Sequence, residues 1–188
     1  PAPNEITMNN PPPSATGPTF RTLDGLQIRY ADTGGADEHV VLRTSPWPES
    51  LYAFAPTWST LARHARLVAV DLPGFGASER RADLLSPRAM GDFLGRLITE
   101  LDLGHPHLVG PDVGTAAALF LAASHPQLLS SVVVGTGGAA VPLELGEPLR
   151  SWVLEPDLDA FRHVEPRTFV NAAVDTIASA DGVIAVTP

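Results

Sequence analysis

The chain has 188 residues, 44% of them hydrophobic, which suffices for one sizeable core, and no apolar run approaches the ~20 residues that span a bilayer. The formal net charge is −9 and all 12 basic residues are scattered arginines, so the basic face that nucleic-acid phosphates require is absent. There is no cysteine, which excludes disulfides and thiolate metal sites.

The first 19 residues, rich in Pro and Asn, have almost nothing to bury and are expected to be a disordered tail. They lack a basic segment followed by an apolar one, so no secretory leader is expected and a cytoplasmic location is the default. FRTLDGLQIRYADTGG alternates about Asp24-Gly25, a hairpin signal for two leading antiparallel strands. The short apolar run Val40 to Leu42 reads as a buried strand and empties into Pro46, Trp47 and Pro48; Ser50 to His64 should be a helix. Leu67 to Val70 is a second such strand, running into Asp71 and the loop Pro73, Gly74, Gly76, Ser78. Ser86 can cap a helix over 87–102, with Pro87 at its first position and Met90, Phe93, Leu94, Leu97, Ile98 and Leu101 in one apolar stripe. A strand at 107–111, a helix at 113–125 and a strand from Ser131 to Gly135 follow. This alternation predicts an α/β fold, a mostly parallel sheet flanked by helices. After Gly138 several prolines interrupt the pattern, which reads as short helices joined by loops; 181–188 reads as a turn and a short strand.

The chemistry concentrates at HLVGPDVGTAAALFLAAS, His107 to Ser124. Asp112 stands between Gly110 and Gly114, after a strand-like run and before a helix-like one. A small residue on either side permits a sharp strand-to-helix turn, which forces the tip side chain outward and aims neighbouring N–H groups at the same spot, the geometry of a nucleophile elbow. A carboxylate at such a tip is ordinarily ionised at neutral pH and can attack an electrophilic carbon without a base. The ester so formed needs a second step, in which a general base, most often His, activates water.

With DLPGFGAS, the Trp47-Pro48 loop and this elbow in that order, the chain resembles the α/β-hydrolase superfamily, and within it the epoxide hydrolases and haloalkane dehalogenases that use an aspartate nucleophile. The resemblance covers residues 20–138 and implies an α/β-hydrolase core there, with 139–188 as the start of a helical cap. It further implies that Asp112 is the nucleophile and that the N–H groups of Trp47 and Val113 form the oxyanion hole. Ser45, Pro48 and, in the cap, Trp152 are the pocket candidates. The implied substrate is a small molecule with an activated carbon–heteroatom bond, an epoxide first. No metal or organic cofactor is implied, and no nucleic acid or membrane partner is expected.

Four departures qualify this reading. Ser45 and Pro46 stand where the family has His-Gly, and Pro111 and Val113 stand where it usually has His before the Asp and often Trp after it. In dehalogenases that Trp helps hold the departing halide, so Val113 lowers the halide reading. Epoxide hydrolases polarise the ring oxygen with cap tyrosines, and neither Tyr30 nor Tyr52 lies in the cap segment. The family order is nucleophile, acid, then His; His39, His64, His105, His107 and His125 read as structural, and His163, in the cap segment, is the one that could face a pocket. Glu49 and Asp71 read as structural acids, Asp71 capping its own loop. The expectation is therefore an incomplete sheet with a bare apolar edge, the base His and acid being supplied by a carboxy-terminal remainder of the same protein. The alternative is a non-hydrolytic protein of this fold, ligand-binding or cyclase-type, in which Asp112 is an acid or base.

Overall fold

The computed structural model describes residues 17–35, 38–138 and 144–179. Most of the expected tail, and the expected strand at 181–188, lie outside the described residues. The chain divides into two units at residues 139 and 140.

In the first unit, β1 (Thr19–Leu23) and β2 (Leu26–Asp32) form the leading hairpin. Its two-residue turn has positive φ at both Asp24 (51°) and Gly25 (77°), the pairing that lets a tight hairpin follow the strand twist. β3 (Val40–Thr44), β4 (Arg66–Val70), β5 (His107–Pro111) and β6 (Ser131–Gly135) complete a six-stranded sheet of order β1-β2-β4-β3-β5-β6. β2 meets β4 antiparallel, and the last four strands are mutually parallel. Leu67, Val68, Ala69 and Val70 of β4 are all fully buried, because both faces of this strand are covered and no alternation is needed.

Helix α2 (Pro87–Glu100) starts as expected, with Ser86 Oγ accepting from the Ala89 N–H at 3.2 Å and Pro87 opening the first turn. Its stripe, with α3 (Val113–Ser124), packs on Ile28, Leu42, Val68, Val70 and Leu108. Full burial of each large apolar side chain is worth about 2 kcal/mol, so this layer dominates the unit's stability. The opposite face is covered by α1 (Ala55–Leu61), whose Trp58 is fully buried against a cluster with Leu51, Leu67 and Ala69. The single helix expected from Ser50 to His64 is instead a 3₁₀ turn, Leu51–Phe54, followed by the shorter α1. Pro56 explains the break: it has no N–H to continue a helix from the preceding turn, and its ring crowds the carbonyl four residues back. The sheet stops at β6, where Val133 and Val134 are 57% and 41% exposed, the bare apolar edge that the sequence led us to expect.

The second unit holds α4 (Leu149–Leu154), a 3₁₀ turn at Leu158–Phe161 and α5 (Pro166–Ser179). The Phe169 ring meets Trp152 edge-on at 5.0 Å and Phe161 at 5.3 Å. No helix among the described residues is long and apolar enough to cross a membrane.

Candidate active site

The carboxyl ends of β3, β4 and β5 deliver three loops to one edge of the sheet, where open α/β sheets hold their ligands. At the end of β5 the chain turns in a single residue. Asp112 has φ 49° and ψ −118°, a left-handed conformation that strains a residue with a side chain by about 1–3 kcal/mol. Its surroundings impose it. The Asp112 N–H donates to Gly135 C=O at 3.0 Å, its C=O accepts from the Thr115 N–H at 3.0 Å, and the buried Thr115 hydroxyl bonds both Gly110 C=O (2.8 Å) and Gly135 C=O (3.0 Å). The flanking glycines are needed for close approach. A Cβ on Gly110 would lie 2.6 Å from Gly114 O, and one on Gly114 would lie 1.9 Å from Thr44 Oγ1.

Asp112 is half-buried, and its carboxylate does not cap α3. Instead Oδ2 accepts the Trp47 N–H at 2.7 Å, across 65 positions of sequence, while Oδ1 takes no donor among the described residues. One oxygen is thus oriented and the other is open to solvent or substrate. Val113 follows Asp112 as the first residue of α3, where helix N–H groups have no intrahelical acceptor.

Asp71, at the end of β4, is fully buried. Its Oδ1 accepts the Leu51 N–H (2.8 Å); its Oδ2 accepts Arg29 Nε and Nη2 (both 2.6 Å) and the Ala77 N–H (3.0 Å). It caps its own loop, as expected, but it also binds β2 and the loop after β3. Arg29 was not singled out in the sequence, and only its place between Ile28 and Tyr30 in a strand hints that it is partly enclosed. Glu49 is exposed.

Of the pocket candidates, Pro48 is half-buried beside Trp47, and Ser45 is fully buried with a hydroxyl that has no partner among the described residues. Thr44 Oγ1 and Arg43 Nε are likewise buried with no partner among the described residues, and burial holds the Arg43 guanidinium below its ordinary pKa. Trp152 packs within the second unit. Five histidines mark the opposite edge of the sheet: His39, His64, His105 and His107 precede or begin parallel strands, and His125 ends α3. At about 3.3 Å per residue, β5 alone separates His107 from Asp112 by about 16 Å. His163 is in the second unit. Among the described residues no group of three or more His, Asp or Glu could hold a metal ion.

The chain is similar to known proteins in sequence and in structure. The chain is 34% identical over 124 residues to the dihydrolipoyllysine-residue acetyltransferase component of an acetoin cleaving system from Cupriavidus necator, covering 64% of this chain and 33% of that protein. It is 31% identical over 134 residues to a haloalkane dehalogenase of Psychrobacter cryohalolentis, covering 68% and 43%. Among solved structures, Cfl2 from Burkholderia cenocepacia superposes with a TM-score of 0.65 at 27% identity, covering 85% of this chain and 56% of that one. The chain spans a third to under a half of the length of these curated relatives. A family model described as alpha/beta hydrolase fold matches residues 46–172, and the chain belongs to that family.

Proposed function

We propose that this is a hydrolase in which Asp112 opens an activated carbon–heteroatom bond, an epoxide first, through an ester on the enzyme. The observation that carries the reading is an aspartate at a strained, over-determined turn, with one carboxylate oxygen held by the Trp47 N–H and the other unengaged. Attack by Oδ1 on a ring carbon forms the C–O ester bond and breaks the ring C–O bond, and the released alkoxide takes up a proton to become a hydroxyl. Hydrolysis of the ester by water then returns the carboxylate and releases a diol. In that second step the carbonyl oxygen becomes an oxyanion, for which the Trp47 N–H is already in position and the Val113 N–H is the adjacent donor.

An epoxide is favoured over a haloalkane because Val113, beside the nucleophile, has no side-chain donor to hold a departing halide. The base for ester hydrolysis is not among the five histidines of the first unit, which are on the far edge. We assign the base and its partner acid to a further part of the protein, consistent with the share of its relatives that this chain spans.

Mass spectrometry tests the first step. Incubation with styrene oxide should add one equivalent of the probe to the peptide containing Asp112, and Asp112→Asn should abolish it. Addition elsewhere, or unchanged in the Asn variant, refutes the reading. The second reading, a non-hydrolytic protein with Asp112 as acid or base, draws on the lack of an imidazole near Asp112 among the described residues of the first unit and requires ligand binding without any adduct.

A further inference from the structure

The loop that carries Trp47 is pinned to β4 at two places. At its start the Ser45 N–H donates to Val70 C=O at 2.9 Å, and at its end the Leu51 N–H donates to Asp71 Oδ1 at 2.8 Å. Trp47 lies between the pins, its N–H on Asp112. The second pin is a side chain, and that side chain is itself immobilised. Asp71 Oδ2 is gripped by Arg29 Nε and Nη2 and by the Ala77 N–H. Its backbone C=O accepts from the Ser78 hydroxyl at 2.7 Å, and that hydroxyl accepts from the Arg29 N–H at 2.9 Å. The loop after β4 folds onto the carboxylate so closely that a Cβ on Gly76 would lie 2.1 Å from Oδ2. The Arg29 guanidinium also faces the ring of Tyr52, the residue after Leu51, at 5.3 Å.

We propose that Asp71, held by Arg29, is a positioning residue for the Asp112 nucleophile: through the Leu51 N–H it sets where the Trp47 N–H holds Oδ2 and so how Oδ1 is aimed, and releasing the Leu51 N–H slows attack by Asp112 without weakening capture of the electrophile. This rests on the reading of Asp112 as the nucleophile. With one pin gone, the loop pivots about Ser45. A shift of about 1 Å takes a 2.7 Å contact out of hydrogen-bond range, and misplacement of that size lowers rates by up to about 100-fold.

Two double variants separate positioning from folding. Arg29→Met/Asp71→Asn and Arg29→Met/Asp71→Ala both remove the ion pair, so neither leaves a lone buried cation. The Asn side chain keeps an acceptor for the Leu51 N–H, and the Ala side chain does not. The readouts are the rate of Asp112 ester formation with styrene oxide across concentrations, corrected for folded fraction from urea curves, and the Trp47 amide resonance. The Asn pair should stay within about threefold of wild type, while the Ala pair falls about 10- to 100-fold in limiting rate at unchanged half-saturation, with its Trp47 amide proton shifted upfield. Equal corrected rates for the two pairs, or a loss that resides in half-saturation, overturns the proposal. Should the Ala pair fail to fold, Arg29→Met/Asp71→Ser, whose hydroxyl is too short to reach Leu51, takes its place. If wild type forms no ester at Asp112, the nucleophile reading fails by itself. The Trp47 resonance then decides the positioning claim, and an unmoved resonance in the Ala pair refutes it.

Discussion

Replacing Gly110 by Ala tests how tightly the elbow is assembled. A Cβ there would lie 2.6 Å from Gly114 O, 2.8 Å from Ala118 Cβ and 3.0 Å from Gly114 C. Ordinary carbon contacts begin near 3.5 Å, so α3 must rise by about 0.7–1 Å. None of the three atoms belongs to a flexible side chain, and the buried Ala117, Ala118 and Leu121 must move with the helix. We expect the upper part of the overpacking range, about 3 kcal/mol, a large share of a total stability of about 5–15 kcal/mol. With a urea slope of about 2 kcal/mol/M, the unfolding midpoint should fall by about 1.5 M. Gly135→Ala is the internal control. It lies one strand away, a Cβ there meets nothing within 4 Å, and its midpoint should change by no more than about 0.5 kcal/mol in equivalent stability. A Gly110→Ala midpoint that matches wild type, or a Gly135→Ala loss of equal size, would refute the steric argument.

Ser86→Ala removes the cap of α2 and should lower stability by about 1 kcal/mol, read as a drop in thermal midpoint, whereas Ser86→Asp should largely preserve it. The carboxyl of Asp32 has a depressed pKa: burial pushes it up, but the Arg66 guanidinium, at 3.0 and 2.7 Å, and the Gly34 N–H outweigh that. A depressed carboxyl stabilises the fold fully above its unfolded value of about 3.9, and loses that contribution as pH falls through the lower folded value. Arg66→Met should therefore be less stable than wild type at pH 6, with the gap narrowing at pH 3; urea midpoints that stay equally separated at both pH values would contradict this.

What the sequence revealed was local. Asp24-Gly25 between alternating runs specifies its turn through two residues, the stripe from Met90 to Leu101 repeats within one helix, and Gly110-Pro-Asp-Val-Gly114 carries the whole elbow in five positions. Contacts that close over long separations were hidden. The Trp47 N–H on Asp112, which only the family resemblance implied, spans 65 positions and Arg29 on Asp71 spans 42, and both depend on which strands become neighbours in the order β2-β4-β3-β5. Asp71 was legible as a loop cap because Ala77 is six residues away, while its second role through Leu51 required the sheet. Ser45, a pocket candidate from its place where the family has His-Gly, is fully buried with its N–H on Val70 C=O, a contact that likewise waits on the sheet.

The placement of the five imidazoles of the first unit has a practical corollary. His39, His64, His105 and His125 are exposed and His107 is partly so, all on the rim remote from the elbow. With no lysine and no cysteine in the chain, these rings are natural handles for chemical attachment. Anchored through them to a chelating surface, the first unit would turn the edge that carries Asp112 away from that surface.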